Sequence, residues 1–315
     1  MKIYRYSTVF LVIQLLFVSC KDERVFTIPI KQDSLQRIII PIEFNGKMCD
    51  FLFDTGSSNT RIGRSEDIDF TKLNMKSRKD SVYKIDSTVI ATFYPKGTFK
   101  IGDFQTETSF YKYSEDNKKN LLGLNIISKY YWFFDFDKNI VKVSKSPISF
   151  PEKEALALKY NDRGNAIFEA ELRFNTETKF KFLFDTGAGG NGNAISLFIE
   201  DSIPFKKIRI DSTDLTYQIN SDPVGWVSKS LSVDNYKINY PLFCFENNLQ
   251  IVKRLKSKGI DGLIPVLFVH RYSMLYIDPR QKKIMFFGEK KEVKESLRLY
   301  FEDMWAAFKR DNPNK

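Results

Sequence analysis

Phe51-Leu52-Phe53-Asp54-Thr55-Gly56 recurs, residue for residue, as Phe182-Leu183-Phe184-Asp185-Thr186-Gly187. A six-residue identity within one chain signals internal duplication. The flanks agree. Ahead of the first copy stand Arg37-Ile38-Ile39-Ile40-Pro41-Ile42-Glu43-Phe44 and the turn pair Asn45-Gly46. Ahead of the second stand Ala166-Ile167-Phe168-Glu169-Ala170-Glu171-Leu172-Arg173-Phe174 and a polar turn over 175–178. An apolar run broken by Asn-Gly is a hairpin signal. Each half is therefore expected to open on a hairpin whose second strand ends in Asp-Thr-Gly.

The halves also close alike. Leu121-Leu122-Gly123-Leu124 is followed by Phe133-Phe134-Asp135 and Ile140-Val141-Lys142-Val143. Asp261-Gly262-Leu263-Ile264 is followed by Leu275-Tyr276-Ile277-Asp278 and Ile284-Met285-Phe286-Phe287. The aspartates lie 131 residues apart, and Gly123 and Gly262 lie 139 apart. Near-equal offsets predict two homologous lobes, 24–146 and 155–288. The Pro-containing stretch 147–154 reads as the linker. Most of each lobe reads as short alternating strands, including 92–102 and 226–241. After 288, Val293, Leu297, Phe301, Met304 or Trp305, and Phe308 form an i, i+4 stripe. That spacing predicts a C-terminal amphipathic helix within 289–315, packed on the body.

An aspartate at the end of an apolar strand is costly to desolvate unless something offsets it. The Gly that follows permits a tight turn and exposes backbone N–H groups near the carboxylate. The Thr hydroxyl can bond across to the other half. Two such turns meeting about a pseudo-two-fold axis bring carboxylates to roughly 3 Å, where both cannot easily ionise. They share a proton. One then serves as general base on a water, and the other polarises a carbonyl. This chemistry calls for no metal, nucleophilic serine or cofactor.

Asp54-Thr55-Gly56-Ser57-Ser58 and Asp185-Thr186-Gly187-Ala188 resemble the signature of the pepsin/retropepsin clan of aspartic peptidases. Leu121-Leu122-Gly123, and Gly262 with its neighbours, resemble the segment that threads behind each catalytic turn there. The resemblance covers roughly 25–288. It implies a mainly β, bilobal acid-protease fold with pseudo-two-fold symmetry and a cleft for an extended peptide. It assigns Asp54 and Asp185 as catalytic, with Thr55, Gly56, Ser57, Thr186 and Gly187 supporting their turns. A flap is implied between the first catalytic turn and the hairpin near Thr92, which makes Tyr83 and Lys84 candidates. An exposed strand tyrosine is the competing reading of Tyr83.

The chain also departs from the signature. The Ser or Thr after the motif Gly bonds the outer oxygen of its Asp in that family. Ser57 keeps this donor and Ala188 lacks it. Loss of the donor is expected to raise the pKa at Asp185 and to extend activity toward neutral pH. The stretch 188–194, Ala-Gly-Gly-Asn-Gly-Asn-Ala, reads as a flexible loop at the cleft or a permissive turn. Little chain precedes the first strand, so no pepsin-style zymogen is expected.

The N-terminus reads separately. Lys2 and Arg5 precede an apolar run over 8–18, too short for a stable membrane span but suited to export. The run ends in Phe17-Val18-Ser19-Cys20, which resembles the lipobox of bacterial lipoproteins, with Phe17 where Leu is commoner. The resemblance implies removal of 1–19 and lipidation of Cys20. An ordinary signal peptide with an incidental Cys is the competing reading. Lys21-Asp22-Glu23 resembles the surface-export tag of Bacteroidota lipoproteins. An exported, outer-membrane lipoprotein follows, tethered by its lipid and with either periplasmic or surface orientation. Cys49 and Cys244 then remain, read as two separate buried thiols.

The net charge is +10, or +8 once Lys2 and Arg5 are removed. Its cations are interleaved with acids and no nucleic-acid motif appears, so a solvated surface is the reading. His270 is the single histidine. No nucleophile elbow accompanies it, and it reads as structural. No zinc spacing, calcium loop or phosphate loop is present. The expected partner is a peptide or protein substrate, for a monomer without nucleic acid. Two function classes stay open: an active endopeptidase, or a catalytically inactive binding module on the same fold.

Overall fold

The computed structural model describes residues 24–63, 70, 76–83, 88–113, 119–150, 155–161, 169–173, 179–189, 195–198, 215–219, 222–227, 230–233, 236–239, 242–246 and 249–311. Its first half contributes β1 (Val25–Pro29), β2 (Lys31–Gln32), β3 (Ile38–Phe44), β4 (Lys47–Phe53), β5 (Arg61–Ile62), β6 (Arg78–Tyr83), β7 (Thr88–Ile101), β8 (Phe104–Tyr113), β9 (Asn120–Leu122), β10 (Tyr131–Asp135) and β11 (Ile140–Ser144). The second contributes β12 (Leu156–Lys159), β13 (Glu169–Arg173), β14 (Lys179–Asp185), β15 (Ile195–Phe198), β16 (Leu215–Ile219), β17 (Asp222–Val227), β18 (Ser230–Val233), β19 (Tyr236–Asn239), β20 (Leu242–Glu246), β21 (Gly262–Pro265), β22 (Tyr272–Asp278) and β23 (Lys283–Glu289). Helices cover Leu124–Ile127, Leu249–Lys256, Val266–Val269 and Lys291–Asp311. The chain is mainly β.

Alternation sets the first hairpin. Ile38, Ile40, Ile42 and Phe44 are fully buried, and the residues between them are half-buried. Asn45 and Gly46 both take positive φ, 47° and 83°. That is the geometry of a tight hairpin turn, and Gly46 adopts it without steric cost. It fixes the β3–β4 register from Phe44↔Lys47 to Ile39↔Leu52.

The duplication extends to topology. An eight-stranded sheet runs β2-β3-β4-β9-β5-β8-β7-β6, and a seven-stranded sheet runs β13-β14-β21-β15-β20-β17-β16. From β3 onward the two orders correspond strand for strand. Pairing senses correspond as well: β4·β9 and β14·β21 are parallel, β5·β9 and β15·β21 antiparallel, β5·β8 and β15·β20 parallel.

A third sheet belongs to both halves. Its order is β1-β11-β10-β22-β23-β12, with β10 and β22 antiparallel from Trp132↔Ile277 to Asp135↔Met274. The stretch read as a linker is partly built into this body. Ile148 is buried among Tyr131, Phe133, Tyr276 and Phe287, and its N–H donates to the Tyr276 hydroxyl at 3.3 Å. Residues 151–154 lie outside the described set.

Strand register corrects one sequence expectation. In the first half Leu52 pairs with Leu121 and Phe53 with Leu122. In the second, Leu183 pairs with Leu263, Phe184 with Ile264 and Asp185 with Pro265. The position equivalent to Gly123 is therefore Pro265, and Gly262 begins β21. The next residues agree, because Leu124 N–H donates to the Ser57 carbonyl (2.8 Å) and Val266 N–H to that of Ala188 (3.4 Å). Gly123 is needed where it stands. Its N–H donates to Thr60 Oγ1 at 3.1 Å, and a Cβ there would lie 2.4 Å from the Asn59 carbonyl carbon. The chain between turn and strand also differs. Arg61 follows Ser57 by four residues, whereas its counterpart Ser196 follows Ala188 by eight. The extra residues fall in 189–195, of which 190–194 lie outside the described residues.

The C-terminal helix begins two residues after the end of β23 and covers Lys291–Asp311, with 312–315 outside the described residues. Leu297 is buried and Val293 half-buried, while Arg298 pairs with Glu295 and Glu302 on the wet side. The rest of the expected stripe, Phe301, Met304, Trp305 and Phe308, lies outside the described side chains.

Gly123→Ala should destabilise the protein by about 1–3 kcal/mol, because backbone, not a flexible side chain, blocks the new methyl. Urea unfolding checks this. An unchanged midpoint would show that the Asn59–Thr60 segment yields freely.

Candidate active site

The two Asp-Thr-Gly turns are carried by β4 and β14. The Phe before each aspartate anchors it. Phe53 packs edge-on against Trp132 and Phe134 of the shared sheet, ring centroids 5.0 Å apart in each case. Phe184 packs edge-on against Phe286 of the same sheet at 5.9 Å. Burying each ring is worth about 1.5–3 kcal/mol. Alternation then brings the next residue, Asp54 or Asp185, to the junction between the halves.

At that junction the threonines cross. Thr55 Oγ1 donates to the Phe184 carbonyl (2.7 Å) and accepts the Thr186 N–H (3.0 Å). Thr186 Oγ1 donates to the Phe53 carbonyl (2.6 Å) and accepts the Thr55 N–H (3.1 Å). Both side chains are fully buried. The glycines allow the close approach. A Cβ on Gly56 would lie 2.3 Å from Asp185 Cγ, and one on Gly187 would lie 2.5 Å from Asp54 Cγ. Each turn thus presents bare backbone to the opposite carboxyl.

The two carboxyls are buried and hydrogen-bonded to each other. Burial raises the pKa of Asp54 well above the aspartate range, and the nearby charge of Asp185 raises it further. The Arg61 guanidinium and the Gly56 N–H act against this rise. Burial also raises Asp185, but N–H groups of Gly187 (2.9 Å) and Ala188 (3.1 Å) donate to its Oδ1 and favour its charge. Both carboxyls are thus held above the ordinary aspartate range, and with both buried together they cannot easily ionise at once.

Asp185 is raised, the direction expected from Ala188, but burial is the leading cause. The Ser57 hydroxyl donates to the Asn59 carbonyl (2.9 Å), which uses its one proton away from Asp54. Ala188 has no hydroxyl, yet its backbone N–H serves Asp185 directly.

Three groups at the site carry no motif signal. Asn125 Oδ1 accepts both the N–H and the hydroxyl of Thr60 (2.8 Å each), bracing the chain behind the first turn. Arg61 begins β5 and donates to the Tyr113 hydroxyl at 2.8 Å. Asp33, Arg37 and Lys119 form a clamp reaching the second turn. Asp33 receives Arg37 Nε (2.9 Å) and Lys119 Nζ (2.6 Å), and Arg37 Nη1 lies 3.4 Å from the Gly187 carbonyl. Partial burial pushes Asp33 up, but these cations more than offset it and hold it far below the aspartate range.

Tyr83 ends β6 and pairs with Thr88, closing the β6–β7 hairpin, while Lys84 and the Tyr83 side chain lie outside what is described. His270 follows the helix Val266–Val269. Its Nε2 carries a proton donated to the Gln36 carbonyl (2.7 Å), and its ring meets Phe136 edge-on at 5.0 Å. Burial lowers its pKa, and the bond to Gln36 acts against that. Cys49 in β4 is half-buried rather than buried, and Cys244 stands in β20 of the other sheet. Cys20 and the export segment lie outside the described residues. Among the described residues no group of His, Cys, Asp and Glu could hold a metal ion, and no helix is long and apolar enough to cross a membrane.

Thr55→Val and Thr186→Val should each cost about 1–3 kcal/mol per orphaned buried group, and less than additively together. Double-mutant unfolding measures this, and strictly additive effects would contradict the coupled crossing. Raised carboxyl pKa values mean that the folded state binds protons more tightly than the unfolded chain. Their contribution is therefore full below the ordinary aspartate pKa and is lost as pH rises through the folded values. Asp54→Asn should accordingly raise Tm at pH 7, by about 2 °C or more, and by progressively less toward pH 3. A lower Tm at pH 7 would contradict the burial argument. Compared with known proteins, the chain matches no protein-family model and no curated protein.

Proposed function

We propose that the chain is an aspartic endopeptidase on a bilobal, pepsin/retropepsin-like fold, in which Asp54 and Asp185 activate a water against a peptide bond. The observation that carries this reading is the pair of buried carboxyls brought together by crossed Asp-Thr-Gly turns, both held above the ordinary aspartate range. Burying two carboxyls together is expensive, and a purely structural joint would not need them.

The proposed chemistry starts with the shared proton on Asp54. Ionised Asp185 takes a proton from a water held between the carboxyls, and the oxygen attacks the scissile carbonyl carbon. Protonated Asp54 donates to the carbonyl oxygen, which gives a neutral tetrahedral diol. The proton now on Asp185 passes to the amide nitrogen, the C–N bond breaks, and a diol hydroxyl returns its proton to Asp54. One water and one peptide bond become a carboxylic acid and an amine. Thr55, Gly56, Thr186 and Gly187 hold the turns, and Ser57 braces the first through Asn59. The β6–β7 hairpin ending at Tyr83 is the proposed flap. The leader, with Cys20 as lipid acceptor, makes the enzyme an exported, membrane-tethered lipoprotein acting on peptides or proteins as a monomer.

Residues 21–315, assayed on a diverse peptide library, should cleave peptides. Asp54→Asn and Asp185→Asn should each lose at least about 10³-fold in kcat/KM, and a statine-type analogue should block the wild type. Activity requires Asp185 ionised and Asp54 protonated. Both pKa values lie above the ordinary range, so the pH–rate bell should shift toward neutrality. A maximum below about pH 4 contradicts this. Full activity in either Asn variant overturns the mechanism, and absence of cleavage favours a binding module. In cells, Cys20→Ala should abolish fatty-acid labelling. Retained labelling refutes the anchor.

A further inference from the structure

Arg61 occupies an unusual place. It begins the strand that follows the first Asp-Thr-Gly turn, and it pairs across β9 at Leu121, itself the partner of Leu52 two residues before Asp54. The side chain is half-buried, and its Nε is buried without a hydrogen-bond partner. Nη1 meets a neutral hydroxyl, that of Tyr113, and the guanidinium lies over the Tyr113 ring at 5.9 Å. No carboxylate forms an ion pair with it among the described residues. Its counterpart in the second half is the small, neutral Ser196. A half-buried guanidinium beside the carboxyl pair, with no ion pair among the described residues, is costly to keep.

Its surroundings extend in one direction. Register places Arg61 beside Tyr111, Tyr111 beside Phe93, and Phe93 beside Arg78. This row crosses four strands, from next to the dyad out to the edge hairpin. The rings of Phe93 and Tyr111 meet edge-on at 5.3 Å, and Arg78 lies over Phe93 at 4.5 Å. Among the described residues, a carboxylate stands at the outer end of this row. Asp80 lies 3.7 Å from exposed Arg78 and 3.5 Å from the Tyr111 hydroxyl. The aromatic row offers an apolar wall for a side-chain stem, and Arg61 offers the unpaired charge at its inner end.

We infer that Arg61 makes a substrate subsite beside the dyad, under the β6–β7 hairpin, that selects a peptide residue bearing a carboxylate. This rests on the peptidase reading of the site. A glutamate-length side chain suits it, with its methylenes along Tyr111 and Phe93 and its carboxylate on the guanidinium. The net charge of +8 that remains without Lys2 and Arg5 favours encounter with acidic peptides. Occupancy also couples to the chemistry. Arg61 weakens the hold of Asp54 on its proton. A bound carboxylate neutralises Arg61, so Asp54 stays protonated to higher pH.

The test uses peptide pairs differing only as Glu or Gln at each of three positions on either side of the scissile bond. Each pair is made cleavable and as an uncleavable reduced-amide isostere. At one position the wild type should prefer Glu by about tenfold in both kcat/KM and isostere affinity. That preference should shrink as ionic strength rises. Arg61→Gln should bring the ratio near one, Arg61→Lys should retain part of it, and Arg61→Glu should turn the preference toward a Lys peptide. The upper limb of the pH profile should lie higher for the Glu peptide than the Gln peptide in the wild type, and coincide in Arg61→Gln. A wild-type ratio near one at every position, or a ratio unchanged in Arg61→Gln, overturns the inference while leaving the peptidase reading intact. Isostere preference lost in Arg61→Gln, with no cleavage by the wild type, supports the subsite and overturns the peptidase reading instead.

Discussion

Two threonine hydroxyls hold the centre of this molecule, each donating to a carbonyl of the opposite half and accepting that half's N–H. Four buried backbone groups are satisfied only because the halves meet in one relative position. The carboxyls are a consequence of that joint. Once the turns cross, the aspartate at the head of each faces the glycine of the other, and nothing larger than glycine fits there. Burial then raises both proton affinities, and the N–H groups of the two turns act against that rise.

The joint depends on the sheet behind it. Phe53 and Phe184 are drawn into the six-stranded sheet that both halves build, so the apolar core sets the depth at which the aspartates emerge. The clamp of Asp33, Arg37 and Lys119 adds a lateral hold on the second turn. Its pH dependence opposes that of the carboxyl pair. Asp33 is held far below its ordinary pKa, so its contribution is present at neutral pH and lost as pH falls through the carboxylate range. Stability at neutral pH is therefore a balance between a pair that resists ionisation and a carboxylate that requires it.

Much of this was legible in the chain because the duplication preserved short-range signals. The repeated hexapeptide, the Asn45-Gly46 turn and the alternation of Ile38 to Phe44 mark local structure, and local structure followed them. Long-range pairing was less legible. Gly262 invited alignment with Gly123 because glycines stand out in a sequence, yet register is set by the strands and places Pro265 there. The closing strands matched in sequence, but their mutual pairing through β10 and β22 leaves no local trace. Ser57 was assigned to Asp54 by motif, whereas a hydroxyl follows the nearest well-placed carbonyl, that of Asn59. Arg61, Asn125 and the Asp33 clamp carry no motif, and their roles arise from neighbours distant in sequence.

The central claim is that Asp54 and Asp185 act together on one oxygen atom. A crystal structure of the soluble chain with a statine-containing peptide tests it most directly, because the statine hydroxyl mimics the attacking water oxygen. That hydroxyl should lie within hydrogen-bond distance of both carboxyls, with the peptide extended beneath the β6–β7 hairpin. A peptide bound elsewhere, or a hydroxyl touching neither carboxyl, would contradict it.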